Sequence, residues 1–175
     1  IDANTLTLTA FADYIQQTHH AYLKTELPRL NLITEKVARV HGEHDPRLVE
    51  VRRAFEMFQQ ELSPHMMKEE AILFPIIRNI EKHRTTAGDQ PLPQFHCGSV
   101  ANPIRQMGLE HDHADQLLES MQELTDGFKA PEWACNTYRA MLDGLCALER
   151  DMHHHVHMEN NVLFPKAIQM EMSNG

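Results

Sequence analysis

A stretch of eleven residues occurs twice in this chain, in one register. His65-Met-Met-Lys-Glu69-Glu-Ala-Ile-Leu73-Phe74-Pro75 and His155-Val-His-Met-Glu159-Asn-Asn-Val-Leu163-Phe164-Pro165 share His, Glu, Leu, Phe and Pro, each displaced by 90 residues. In a helix, a His and a Glu four apart lie on one face with about 6 Å between Cβ atoms. Such a pair can hold one metal ion or bridge two. One pair is common, but two in register imply related halves that bring the same chemistry to one place.

The residues around the repeats keep a helical period. From Leu6 the pattern is helical, and past His20 it settles into a three-four rhythm: His20, Leu23, Leu27, Leu30, Thr34, Val37, His41. Leu48, Val51, Phe55, Phe58, Leu62, His65, Glu69, Ile72 and Ile76 form a second seam. A third runs through Ile104, Met107, His111, Ala114, Leu118, Met121, Thr125 and Phe128, and a fourth through Ala134, Tyr138, Met141, Leu145, Leu148, Met152, His155, Glu159 and Val162. Asp45 as N-cap with Pro46 at the first helical position predicts one helix start, and Asn102-Pro103 another. Residues 84–101, with Gly88, Pro91, Pro93 and Gly98, read as an irregular crossover. Pro28 and Pro64 each remove a backbone donor within a helix and predict a bend, Pro64 beside the repeat itself. The expectation is an all-α, antiparallel up-and-down four-helix bundle, one domain over 1–175, with helices at roughly 6–42, 46–83, 103–127 and 131–170.

At 175 residues the chain is long enough to bury a full core. Its net charge of −9 and pI near 5.8 argue against a nucleic-acid or anionic-membrane surface. No apolar run approaches the ~20 residues of a membrane span. Cys97, Cys135 and Cys146 lack metal-type or redox-type spacing, so reduced thiols in the cytoplasm are expected. Thirteen His against seven Gly suit a helical protein whose imidazoles need an explanation beyond a solvated surface.

Leaving His41 aside, each seam carries one His, namely His20, His65, His111 and His155, and two seams add Glu69 and Glu159 one turn later. The His are 45 residues apart in the first half and 44 in the second, so each half reads as a hairpin with His on one arm and His-x-x-x-Glu on the other. At a rise of 1.5 Å per residue, His20 and His65 level to within roughly 5 Å about a turn near residue 44. About a turn near residue 130, His111 and His155 miss by roughly 9 Å, which requires an irregular helix start or a tilt. Four imidazoles and two carboxylates in a dry core call for a cation among them, and six ligands exceed one zinc site. Two metals, each with two His and both spanned by Glu69 and Glu159, satisfy every ligand and leave positions for a solvent bridge and a small molecule. Imidazole and carboxylate without thiolate suit iron or manganese. The expected cofactor is two non-haem Fe ions, oxo- or hydroxo-bridged, with two bridging carboxylates.

A single His on an apolar face is more often a hydrogen-bonded core residue; four at matched positions, two with Glu partners, reverse that reading. His41 keeps the seam rhythm but lies 21 residues past His20, roughly 31 Å along the same helix, and cannot share the site. His113, His153, His154 and His157 fall off the seams; His113 and His154 are the spare-ligand candidates. Glu110 and Asp115, flanking His111, either orient imidazoles or are exposed charge. The Leu-Phe-Pro after each Glu is expected to pack below the metals, with Pro ending or kinking the helix.

At these residues the chain resembles the haemerythrin-like di-iron domain of the repair-of-iron-centres family, bacterial proteins linked to iron–sulfur cluster repair under nitrosative and oxidative stress. The resemblance runs through Val40-His41, Ser63-Pro-His65-Met-Met-Lys-Glu69-Glu, Leu73-Phe74-Pro75, Glu110-His111-Asp112, Glu132-Trp-Ala-Cys135 and Met158-Glu159-Asn-Asn-Val-Leu-Phe-Pro165. It implies that His20, His65, His111 and His155 ligate the irons while Glu69 and Glu159 bridge them. Members often carry an N-terminal module with a Cys-Cys pair, to which nothing here corresponds, and Pro64 stands where a small polar residue is expected. The implied function is repair by iron donation, by nitric oxide binding and reduction, or both, with nitric oxide reductase activity at the centre as the enzymatic candidate. Partners would be nitric oxide, dioxygen and iron–sulfur proteins as iron acceptors. The alternative is haemerythrin-like reversible binding of dioxygen or another small gas, which would use a fifth His. A carboxylate-rich oxidase ranks lower because it uses more Glu in a Glu-x-x-His order, and a purely structural bundle leaves six buried polar residues unexplained.

Overall fold

The computed structural model describes residues 6–87 and 92–173. Gly88 and Pro91 of the expected crossover lie outside them. Among the described residues the chain is an all-α bundle of four long helices. Helix α1 comprises Leu8–Ile15, a widened π turn Gln16–His20, and Ala21–His41; α2 comprises Arg47–Lys68, a π turn Glu69–Leu73, and Phe74–Ala87. Helix α3 is Ala101–Leu124, and α4 comprises Asn136–Met158, a π turn Glu159–Leu163, and Phe164–Met172. Pro28 and Pro64 both lie within helix, and helix also runs on through Pro75 and Pro165, neither of which ends it.

Local chemistry fixes the ends. The Thr7 hydroxyl accepts from the Ala10 amide, and the Glu81 carboxylate takes the Leu8 and Thr9 amides, so the first orphan donors of α1 are satisfied. The Asp45 carboxylate accepts from the Arg47 amide and guanidinium. Helix α2 then begins at Arg47, one residue later than the Asp-Pro pair predicts. Helix α3 starts slightly earlier than expected, at Ala101, and α4 later, at Asn136. Between them Asp126, Gly127 and Phe128 all take positive φ (53°, 77° and 60°), a backbone that breaks α3 sharply. Residues 125–135 form the loop between α3 and α4.

The three π turns correct the seams. An α period carried past Glu69 would bury Ile72 and Ile76, but Ile72 is 52% exposed, Ile76 is half-buried, and Leu73 and Ile77 are buried instead. The extra residue in the wide turn shifts the phase by one position. The same shift after Glu159 buries Leu163 where Val162 was expected. Helix α3 has no such turn and keeps its seam through His111.

Apolar burial falls into two clusters. One contains Leu23, Leu30, Phe55, Phe58, Leu118 and Leu148; the other contains Phe11, Ile15, Leu73, Phe74, Leu163 and Phe164. The buried His and Glu residues are positioned by the helices between these two cores.

Candidate metal centre

The structure brings His20, His65, Glu69, His111, His155 and Glu159 together, all six buried. Their atoms divide into two compartments. In one, His20 Nε2 lies 3.3 Å from Glu69 Oε2, and His155 Nε2 lies 3.1 Å from Glu159 Oε1. In the other, His65 Nε2 lies 3.4 Å from Glu69 Oε1, and His111 Nε2 lies 3.2 Å from Glu159 Oε2. Glu69 thus offers one oxygen to each compartment, while Glu159 groups closely with His20, His155 and Glu69 and reaches the second compartment through His111 alone. Bonds of roughly 2.0–2.2 Å to a central ion set neighbouring ligand atoms about 3–3.5 Å apart, the spacing these pairs have.

The donor atoms are unsatisfied as they stand. His20 Nε2, His155 Nε2 and all four oxygens of Glu69 and Glu159 are buried without a hydrogen bond among the described residues. Such atoms cost free energy unless something else meets them. His65 Nε2 and His111 Nε2 face each other at 3.0 Å, which is favourable only with a shared proton or a cation. The residues present therefore fit a bound metal pair.

The imidazoles are aimed from behind. A carboxylate can only accept, so Glu70 Oε1 at 2.9 Å and Glu110 Oε2 at 2.8 Å put the Nδ1 protons on His20 and His65 and turn each Nε2 inward. Asn160 Oδ1 lies 3.1 Å from His111 Nδ1. Lys24 holds Glu70 at 2.7 Å, and Lys68 holds Glu110. Below the site, Phe74 stacks on His20 and Phe164 on His111, with centroids 5.7 and 6.2 Å apart, as the Leu-Phe-Pro reading anticipates.

Electrostatics makes the same demand for positive charge. Burial disfavours protonation of His65, but the Glu69 carboxylate beside it and Glu110 behind it outweigh burial and raise its pKa to about 9. His20 is raised in the same way, against its burial, by Glu69, Glu159 and Glu70. Burial, and for Glu69 the charge on Glu159, favour protonated carboxyls, yet the facing imidazoles hold both below the ordinary carboxylate range. Partial burial opposes ionisation of Glu110, but hydrogen bonds from Lys68, Gln106 and His65 bring its pKa down to about 2.

His41 is remote, as its height predicts: its Nε2 lies 3.2 Å from Cys135 Sγ, with Trp133 and Tyr138 against its ring. His113 is exposed and pairs with Glu61, His154 is exposed, and Asp115 pairs with His153 at the surface. None of these joins the cluster. Of the two flanking acids weighed from sequence, Glu110 orients an imidazole of the cluster, whereas Asp115 meets only the exposed His153.

Sequence reasoning missed three residues. Glu70 and Asn160 directly follow the two repeated Glu, and that shared place in the repeat is the signal that could have found them. His19 is buried beside His155, with ring centroids 5.3 Å apart and planes 7° from parallel. The π turn Gln16–His20 carries both His19 and His20, and both are buried.

Between α3 and α4 a cleft of about 210 Å³ reaches His111, lined by Asp112, Asp115, Met152, His157 and Asn160 among others. No described helix is long and apolar enough to cross a membrane.

The family of Hemerythrin HHE cation binding domains matches residues 12–167. The iron-sulfur cluster repair protein YtfE of Yersinia pseudotuberculosis serotype IB (strain PB1/+) is 38% identical over 165 residues, covering 94% of this chain and 67% of that protein. The protein of the same name from Musicola paradisiaca (strain Ech703) is 39% identical over 158 residues, covering 90% of this chain and 64% of that one. The chain spans about two thirds of the length of these relatives. Together with the buried His and Glu clusters, this suits a non-haem iron site.

Proposed function

Because the chain belongs to the hemerythrin HHE cation binding domain family, we propose that it is a di-iron protein that repairs iron–sulfur clusters damaged by nitric oxide or oxidative stress. The observation that carries this reading is the division of six buried side chains into two compartments sharing both carboxylates. The relatives named for iron-sulfur cluster repair support the biological role. In this reading His20 and His155 would hold one ion, His65 and His111 the other, and Glu69 and Glu159 would span both.

Two ferrous ions held by His20, His65, His111, His155, Glu69 and Glu159 would supply two electrons, enough with two protons to reduce two nitric oxide molecules to nitrous oxide and water. The chain's own part is to exclude bulk water with two apolar cores, to aim each Nε2 inward, and to admit a small molecule through the cleft at His111. Nitric oxide and dioxygen fit a cleft of that size, and iron–sulfur proteins are the iron acceptors. We place the protein in the cytoplasm, where its three free thiols stay reduced. Reversible dioxygen or small-gas carriage is not favoured, since the spare His113 and His154 are both exposed and neither belongs to the His and Glu groups close enough to share an ion.

The test mixes reduced, iron-loaded protein with nitric oxide, and separately with an apo iron–sulfur acceptor. With inorganic sulfide added to the acceptor mixture, rebuilding of the acceptor's cluster with the protein's iron is expected, as is nitrous oxide release in the nitric oxide mixture. Reversible gas binding with neither iron loss nor nitrous oxide would contradict the repair reading and restore the carrier.

A further inference from the structure

The two halves of the centre are related by exchange of α1 with α3 and α2 with α4, and the groups behind the imidazoles break that relation. Glu70 and Asn160, each just after a bridging Glu, meet Nδ1 of His20 and His111. Glu110, just before His111, meets Nδ1 of His65 at 2.8 Å. Its counterpart, just before His20, is His19. That residue does not hydrogen-bond His155 but stacks on it, and its own Nδ1 is tied to Asp151 Oδ1 at 2.8 Å. His155 Nδ1 is buried with no hydrogen-bond partner, the only one of the four Nδ1 atoms left so among the described residues.

We propose that the two metal positions are held unequally, and that the ion between His20 and His155 is released first while the ion between His65 and His111 is retained. This rests on the two-metal reading above. Groups hydrogen-bonded behind a metal-bound imidazole fix its orientation and raise its basicity, and losing one typically costs about 10–100-fold in metal affinity. Both imidazoles of the His65–His111 position have such a group; the His20–His155 position has it on one side only. His19 and Glu110 are therefore the positioning residues that set the difference, and repair by donation would spend one ion per chain before the second.

The experiment follows ferrous iron leaving the reduced, fully loaded protein into excess colorimetric ferrous chelator. Two phases of equal amplitude, one iron each and about tenfold or more apart in rate, are expected. Glu110→Ala should accelerate the slow phase by about 10–100-fold and leave the fast phase unchanged, whereas Glu110→Gln, which keeps an acceptor, should move it less. His19→Glu, which gives His155 the carboxylate that His65 has, should slow the fast phase. Should His19→Glu fail to fold, the Glu110 variants decide alone. Release of both irons in a single phase, or Glu110→Ala acting on the fast phase, overturns the proposal while leaving the two-metal reading intact. A chain that loads fewer than two irons overturns both.

Discussion

At the scale of the residue, the centre is defined by which polar atoms are buried without partners. The carboxylates of Glu69 and Glu159 each present two such oxygens, one to each imidazole pair. Replacing either with Leu should abolish the visible absorption of a bridged ferric pair and lower bound iron. His41→Leu, about 31 Å along α1 from His20, should leave both largely intact. Loss of iron in the His41 variant would show that the height reasoning is wrong. These six residues were legible in the sequence because each recurs at the same phase of a helical period. Glu110 was legible only as one of two possibilities, because an acid beside a ligand looks the same whether it faces an imidazole or water. His19 was not legible, since it falls off the seam of His20, Leu23 and Leu27 that marked the buried face, although it is itself buried.

At the scale of the element, the seams were readable up to the repeated Glu and misread beyond it. The π turns at Glu69–Leu73 and Glu159–Leu163 each add a residue, so Leu73 and Leu163 enter the core in place of Ile72 and Val162. Helix starts can be tested individually. Hydrogen bonds from Arg47 hold the Asp45 carboxyl below its ordinary pKa. The folded value is depressed, so the stabilisation is present above the unfolded pKa of about 3.9 and is lost as pH falls through the lower folded value. Asp45→Ala should therefore cost about 1 kcal/mol in urea unfolding at pH 7, and the gap from the parent should narrow below about pH 4. Close approach of α1 and α4 can be tested at Gly144, where an added Cβ would sit 2.6 Å from Leu30 Cδ2 and 2.8 Å from Arg29 Nη2. Gly144→Val should destabilise by about 1–3 kcal/mol, read as a lower urea midpoint.

At the scale of the whole molecule, four helices enclose two apolar cores and hold the buried His and Glu residues between them. An ion that binds only the folded chain stabilises it by mass action. Stripping the metal should lower the thermal midpoint by about 5–10 °C for each ion that was present at roughly 100 times its Kd, measured by calorimetry before and after chelation. The fold class was readable because four amphipathic stretches with turns between them admit few other packings. The central claim is that the six buried ligands hold two irons, and elemental analysis of protein purified without chelators tests it most directly. The account predicts close to two irons per chain; one zinc per chain, or no metal, would contradict it.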